Sequence, residues 1–231
     1  MDASPQGPET GLRTIRAAGV AGLIFAGTIT TSLVLLRSDP IVLADMADDT
    51  SAVQVGDATL VAIYLIPFSG IAFTWFLAAL RRRVGRLEDQ LFATVFLATG
   101  LLFVAMLFAA GAAASAAVTA QRFGTTAAGS IALLFGASLA KTLFYVFAVK
   151  MAGAFMLVSS TIGRRTGALP RWFTLLGFAA GLVMLFSVGF YEPLALIFPS
   201  WVAIVSVFLL RAHPDTWRNG EPGRQAMPGA G

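Results

Sequence analysis

The sequence predicts an all-α fold: a polytopic membrane bundle of six transmembrane helices with both termini in the cytoplasm (N-in/C-in). Three observations predict it. Of the 231 residues, 57% are hydrophobic and 12% are charged, half of the ~25% charged content of a soluble domain. Six stretches are apolar over the ~20 residues that a helix needs to cross the hydrocarbon core. The basic residues collect in alternate loops, as the positive-inside rule requires.

The six predicted spans are continuously apolar rather than alternating, which favours helices over the strands of a membrane barrel. They cover residues 17–36, 58–80, 91–113, a length within 130–162, 172–190 and 194–210. The fourth region is too long for one perpendicular span, so its register stays open. We prefer a span at 142–161, with 127–140 as a tilted or re-entrant lead-in, over a span at 130–150.

Two polar segments rich in proline and glycine flank the predicted membrane domain. We expect residues 1–12 and 214–231 to be disordered cytoplasmic tails around a six-helix domain at 13–213.

The arginines set the expected orientation. Twelve lie on the predicted cytoplasmic side: Arg13, Arg16, Arg81, Arg82, Arg83, Arg86, Arg164, Arg165, Arg171, Arg211, Arg218 and Arg224. Only Arg37 and Arg122 fall in the other loops, beside most of the aspartates. This asymmetry predicts a multi-pass protein of the cell membrane with cytoplasmic termini.

The residue inventory excludes several kinds of site. There is no cysteine and only one histidine, so thiolate metal ligands, disulfides and paired histidine ligands within one chain are ruled out. We therefore expect no enzyme and no cofactor, metal ion or catalytic residue. The net charge of +4 is explained by the loop arginines, so the expected partner is the lipid bilayer and not nucleic acid.

One polar site is predicted near the middle of the bilayer. In the preferred register Lys150 lies there, at about the depth of Pro67, which frees a backbone carbonyl in the second span. Tyr64 and Ser69 are its other expected neighbours. A lysine satisfied by carbonyls and a proline that only shapes the helix form the structural alternative.

Two further groupings are predicted. Lys141, Asp57 and Glu192 each begin or end a span on the outer side, so they are expected to cluster there. Gly177 and Gly181 form a GxxxG pair in the fifth span, which favours close helix packing. That packing is either within one bundle, the preferred interpretation, or between two copies in a homo-oligomer.

The layout resembles bacterial six-span integral membrane proteins of unknown function. The similarity is carried by residues 13–19 (RTIRAAG), the basic loop 81–86 and the turn 167–172 (GALPRW) that opens the fifth span. It implies no substrate or site residue. Two hypotheses of function remain: an accessory or scaffold membrane subunit, ranked first, and a small transporter or permeation protein using the site near Lys150 and Pro67.

Overall fold

The structure, a computed structural model, describes residues 8–37, 56–84, 90–123, 126–165, 170–187 and 192–211. This part of the chain is helical and contains no strand. Its elements are α1 (Pro8–Arg37), α2 (Asp57–Val84), α3 (Gln90–Phe123), α4 (Thr126–Lys141), a π-helical segment (Thr142–Ala148), α5 (Val149–Arg165), α6 (Arg171–Phe186), a 3-10 segment (Glu192–Leu196) and α7 (Ile197–Arg211).

Five helical runs are long and apolar enough to cross a membrane, which makes this a helical bundle compatible with a multi-pass membrane protein. The residues of the predicted fifth span form α6, an apolar helix of 16 residues that is shorter than these five and is not counted among them. The fourth region is one unbroken run, Ile131–Arg165, so the lead-in is helical and not re-entrant.

The predicted tails fall largely outside the described part of the chain. Residues 1–7 and 214–231 lie outside it, whereas α1 already begins at Pro8, within the predicted N-terminal tail.

The helices pack mainly as sequence neighbours. α1 packs against α2 and α7, α3 against α2, α4, α5 and the π segment, and α5 against α6. α3 is therefore the central helix of the bundle. α6 meets α7 through aromatic side chains, where the rings of Phe173 and Trp201 stack with centroids 6.2 Å apart.

The GxxxG pair lies in the α5–α6 interface. A Cβ built on Gly181 would lie 2.9 Å from the carbonyl oxygen of Gly153, and one built on Gly177 would overlap the Ser160 hydroxyl. These glycines let two helix backbones approach within one chain, which is the preferred interpretation of the motif. A homo-oligomer would have to use another face.

Phenylalanine rings fill the centre of the bundle. Phe73 is fully buried, and its ring centroid lies within 6 Å of five other phenylalanine rings. These are Phe25, Phe76, Phe103, Phe155 and Phe198, contributed by five different helices. We call this group the ring cluster. It holds α1, α2, α3, α5 and α7 together.

Candidate functional site

A cavity of about 880 Å³ lies between α1, α2, α3 and the α4–π run, in the half of the bundle where α1 ends. We call this end of the bundle the Arg37 end, because Arg37 is the last residue of α1. The 3-10 segment also lines the cavity, through Ala195 and Leu196. Small-molecule sites usually measure ~300–1,000 Å³. The cavity is therefore large enough for an organic ligand.

The cavity exists because two helices line it with short side chains. Three alanines of α3 and two of α4 form one wall: Ala110, Ala114, Ala117, Ala137 and Ala140. α3 and α4 still touch, since a Cβ built on Gly136 would lie 2.6 Å from that of Ala117. The space is therefore left on the side of these helices that faces α1 and α2, where larger aliphatic side chains complete the wall.

Contacts between helices fix the depth of the lining residues. Ser32 of α1 donates its hydroxyl hydrogen to the Ala62 carbonyl of α2, at 2.8 Å. Ile66, one turn further along α2, packs against Gly111 of α3. Gly136 of α4 lies level with Ala117 of α3, because the two residues are in contact. Counting ~1.5 Å per residue along each helix from these contacts places Lys141 at about the level of Ile66. Lys141 therefore lies at the deep end of the cavity, not at its mouth.

Arg37 and Lys141 line the cavity from opposite ends. Their α-carbons are separated by roughly 12 Å along the bundle, from the same pairings and rise per residue. The Cα–Cβ bonds of a helix tilt toward its N-terminus. α1 begins at the far end of the bundle and α4 begins at the Arg37 end, so the Cα–Cβ bonds of these two residues tilt toward each other. Both residues line the same chamber.

Polar side chains accompany each cation. Thr59 of α2 lines the cavity at the Arg37 end, and Tyr145 of the π segment lines it one turn beyond Lys141. Arg37, Lys141, Thr59 and Tyr145 also take part in other interactions within the chain. The π segment occupies Thr142–Ala148. Such segments are rare in α-helices, and those that occur are often found at functional sites.

The segments that carry the three residues of the predicted outer cluster lie close together, but no contact among the three side chains is described. Lys141 lines the cavity together with Thr59 and Ala195, which are close in the chain to Asp57 and Glu192. Asp57 begins α2 and is exposed, and the side chain of Glu192 lies outside the described part of the chain. The structure therefore brings together the helix ends that carry these residues, while Lys141 lies about two turns deeper than expected.

Lys150 has different partners from those expected. Its ammonium donates hydrogen bonds to the carbonyl oxygens of Ser187, at 2.7 Å, and Leu185, at 3.3 Å. Both carbonyls lie where α6 ends, since Phe186 is its last helical residue. A helix C-terminus carries unsatisfied carbonyls and a partial negative charge, which an ammonium stabilises. Lys150 thus caps α6, as the structural alternative predicts.

The other members of the predicted midplane site point elsewhere. Pro67 lies within α2, which continues as one helix past it, and the proline is exposed. Tyr64 is 73% exposed, so it lies on the outer surface of the bundle. Ser69 is buried and donates to the Ile66 carbonyl of its own helix, at 2.7 Å. The described hydrogen bonds therefore do not join these residues to Lys150.

Sequence reasoning missed the cavity for a physical reason. Residues 109–117 of α3 read AAGAAASAA, so nearly every face of the helix there carries small side chains. A periodic pattern selects a face only where large and small residues alternate. The alanine content signalled close packing or a gap, but not which face would be left open.

Comparison with protein families, with curated proteins and with solved structures finds no match for this chain. The resemblance in layout to six-span bacterial proteins therefore brings no function with it.

Proposed function

We propose that this chain is a protein of the cell membrane that crosses the bilayer six times, with both termini in the cytoplasm. The distribution of arginines supports the orientation, since twelve of the fourteen fall on one predicted side. α6 counts as the fifth crossing because its 16 residues are apolar and the 3-10 segment Glu192–Leu196 lines the cavity in the half of the bundle that carries the Arg37 end. The cavity then lies in the outer half of the membrane.

Reporter fusions test this topology. Fusions after residues 85, 165 and 211 should read cytoplasmic, and a fusion near residue 47 should read external. An external signal at residue 211 with a cytoplasmic signal at 165 would mean that α6 does not cross. An external signal at residue 85 would invert the whole orientation.

We further propose that the protein is an accessory membrane protein that holds the apolar part of a membrane-soluble ligand in the cavity. The observation that carries this proposal is the cavity itself, about 880 Å³ with a mainly aliphatic wall. From Arg37 to the level of Ile66 it spans roughly 12 Å at ~1.5 Å per residue. One leaflet of hydrocarbon is about 15 Å, half of the ~30 Å core. The length of the cavity is therefore close to the thickness of hydrocarbon in one leaflet, so a lipid's hydrocarbon chain can extend along it.

The alternative of a small transporter with a site at Lys150 has weaker support. Lys150 is engaged by the two carbonyls at the end of α6. The ring cluster begins one turn beyond the deep end of the cavity, with Phe25 below Ile29 and Phe103 below Leu107. Close-packed rings at this level favour a chamber that holds a ligand over a path that leads through the bundle.

Photolabelling of the purified protein tests the proposal. A fatty alcohol and the matching fatty acid, each with a diazirine in the chain, are added to the protein in detergent, and adducts are mapped by mass spectrometry. We expect at least one of the two probes to label Leu133, which is buried and lines the cavity. Labelling of Leu134, which is 51% exposed, reports the detergent-facing surface.

Two variants on α3 separate cavity from surface. Ala114→Trp fills the cavity, whereas Ala116→Trp adds the same ring on an exposed position of the same helix. Labelling of Leu133 should fall in the first variant and persist in the second, with Leu134 labelled in both. Absence of labelling at Leu133 with either probe in the unmodified protein, or equal loss in both variants, would refute a ligand-holding cavity.

A further inference from the structure

We infer that the ligand of this cavity is an amphiphilic anion, an apolar chain that carries a carboxylate or phosphate, and that Arg37 and Lys141 bind its headgroup. This inference rests on the proposed function and names the chemistry of its ligand.

The charged side chains among the described lining residues are both basic. The cavity-lining residues that the structure describes include Arg37 and Lys141 and no carboxylate. The rest of this lining is mainly aliphatic, with the hydroxyls of Ser32, Thr59 and Tyr145 as its other polar side-chain groups. An apolar chamber of low dielectric strengthens the attraction between these cations and an anion.

The two cations line one chamber from its two ends. The Cα–Cβ bonds of Arg37 and Lys141 tilt toward each other, and their α-carbons are roughly 12 Å apart along the bundle. Each side chain is long and flexible, so both can reach an anion between them. A guanidinium forms paired hydrogen bonds with carboxylate or phosphate, while an ammonium acts as a compact point charge.

The placement of Lys141 also favours a functional role. It is the last residue before the π segment and lies about two turns below the end of α1, near the level of Ile66. Lysine this deep among apolar helices is costly, and such residues commonly mark ligand sites. Tyr145, on the π segment, lines the chamber one helical turn beyond it.

The test compares three competitors with one chain length: dodecanoate, dodecyl phosphate and dodecanol. Each competes with whichever photoreactive probe labels Leu133, and the concentration that halves this labelling is measured. We expect one or both anions to compete at about tenfold lower concentration than dodecanol, which corresponds to ~1.4 kcal/mol. Preference for dodecyl phosphate alone or dodecanoate alone identifies which anionic group is bound.

Variants assign the preference to the two cations. Lys141→Gln and Arg37→Gln should each reduce the anion-to-alcohol ratio severalfold, and Lys141→Arg should retain most of it. Arg122→Gln is the matched control, because it removes an exposed cation at the end of α3, outside the cavity. Partition into detergent is the same for every variant, so the change in the ratio reports the binding site.

The outcomes separate the two proposals. Equal competition by all three compounds in the unmodified protein, with labelling still blocked by Ala114→Trp, would overturn the anionic ligand and leave the ligand-holding cavity intact. A preference for anions that Arg122→Gln lowers as much as Lys141→Gln does would also overturn it. Absence of cavity labelling with both probes would instead refute the proposed function.

Discussion

Replacing Lys150 by methionine should destabilise the bundle, although it removes a charge from an apolar helix. Methionine keeps an unbranched chain of similar length but cannot donate hydrogen bonds. The change leaves the carbonyls of Ser187 and Leu185 without the ammonium that now contacts them at 2.7 and 3.3 Å. α6 then ends with fewer satisfied carbonyls, and its contact with α5 loses a link.

The magnitude follows from the two bonds. A hydrogen bond to a charged group contributes about 1.5–3 kcal/mol in soluble proteins, whereas bonds between membrane helices average ~0.6 and reach ~1.7. The bond to Ser187 is short and the one to Leu185 is long, so the first dominates. The ~2.5–3.5 kcal/mol cost of inserting lysine also burdens the unfolded chain in the membrane and largely cancels. We expect a loss of about 1–2 kcal/mol.

The assay is reversible unfolding in mixed micelles with increasing SDS, followed by circular dichroism. Lys150→Arg is the matched control, because arginine can still donate to the same carbonyls and should retain part of the stability. A Lys150→Met protein as stable as the unmodified protein, or more stable, would refute the capping argument. It would mean that Lys150 is a snorkelling residue whose contacts contribute nothing.

Two further predictions concern helix packing and use the same unfolding assay. Gly181→Leu should destabilise the bundle by more than about 1–3 kcal/mol, because even a Cβ at this position would lie 2.9 Å from the Gly153 carbonyl oxygen. Ala179→Leu, on the exposed face of α6, is the control and should be tolerated. Equal effects of these two variants would contradict the close α5–α6 contact. Phe73→Ala should cost about 3–5 kcal/mol, because it empties the middle of the ring cluster. A loss below ~1 kcal/mol would mean that the neighbouring rings collapse into the space.

The class of fold could be predicted because it depends on composition and on the length of apolar runs. The helices at Asp57–Val84 and Gln90–Phe123 contain their predicted spans. Arg81, Arg82 and Arg83, which the sequence placed in the loop between these spans, lie in the last turn of α2. Helix ends were harder to place. α3 runs ten residues past its predicted end because alanine continues a helix without marking a boundary. α6 stops at Phe186, four residues short of the prediction, and its end is held by a lysine from another helix.

The candidate site could be predicted only in part, and the two lysines explain why. The sequence indicated that a lysine within an apolar run needs a partner, but it could not say which helix supplies that partner. Lys150 finds two carbonyls at the end of α6, because α5 and α6 pack closely through Gly153 and Gly181. Lys141 lies in the same helical run, where the small side chains of α3 leave a chamber in front of it.

The difference between the two lysines is therefore made by their neighbours. Beside Lys150, glycines bring a second helix close enough for its terminal carbonyls to satisfy the ammonium. Beside Lys141, alanines keep the helices in contact on one side while leaving space on the other. The first arrangement uses a cation for stability, and the second presents one to a chamber that also contains Arg37. Replacing Lys150 should therefore change the unfolding curve, whereas replacing Lys141 should change the preference for an anionic ligand.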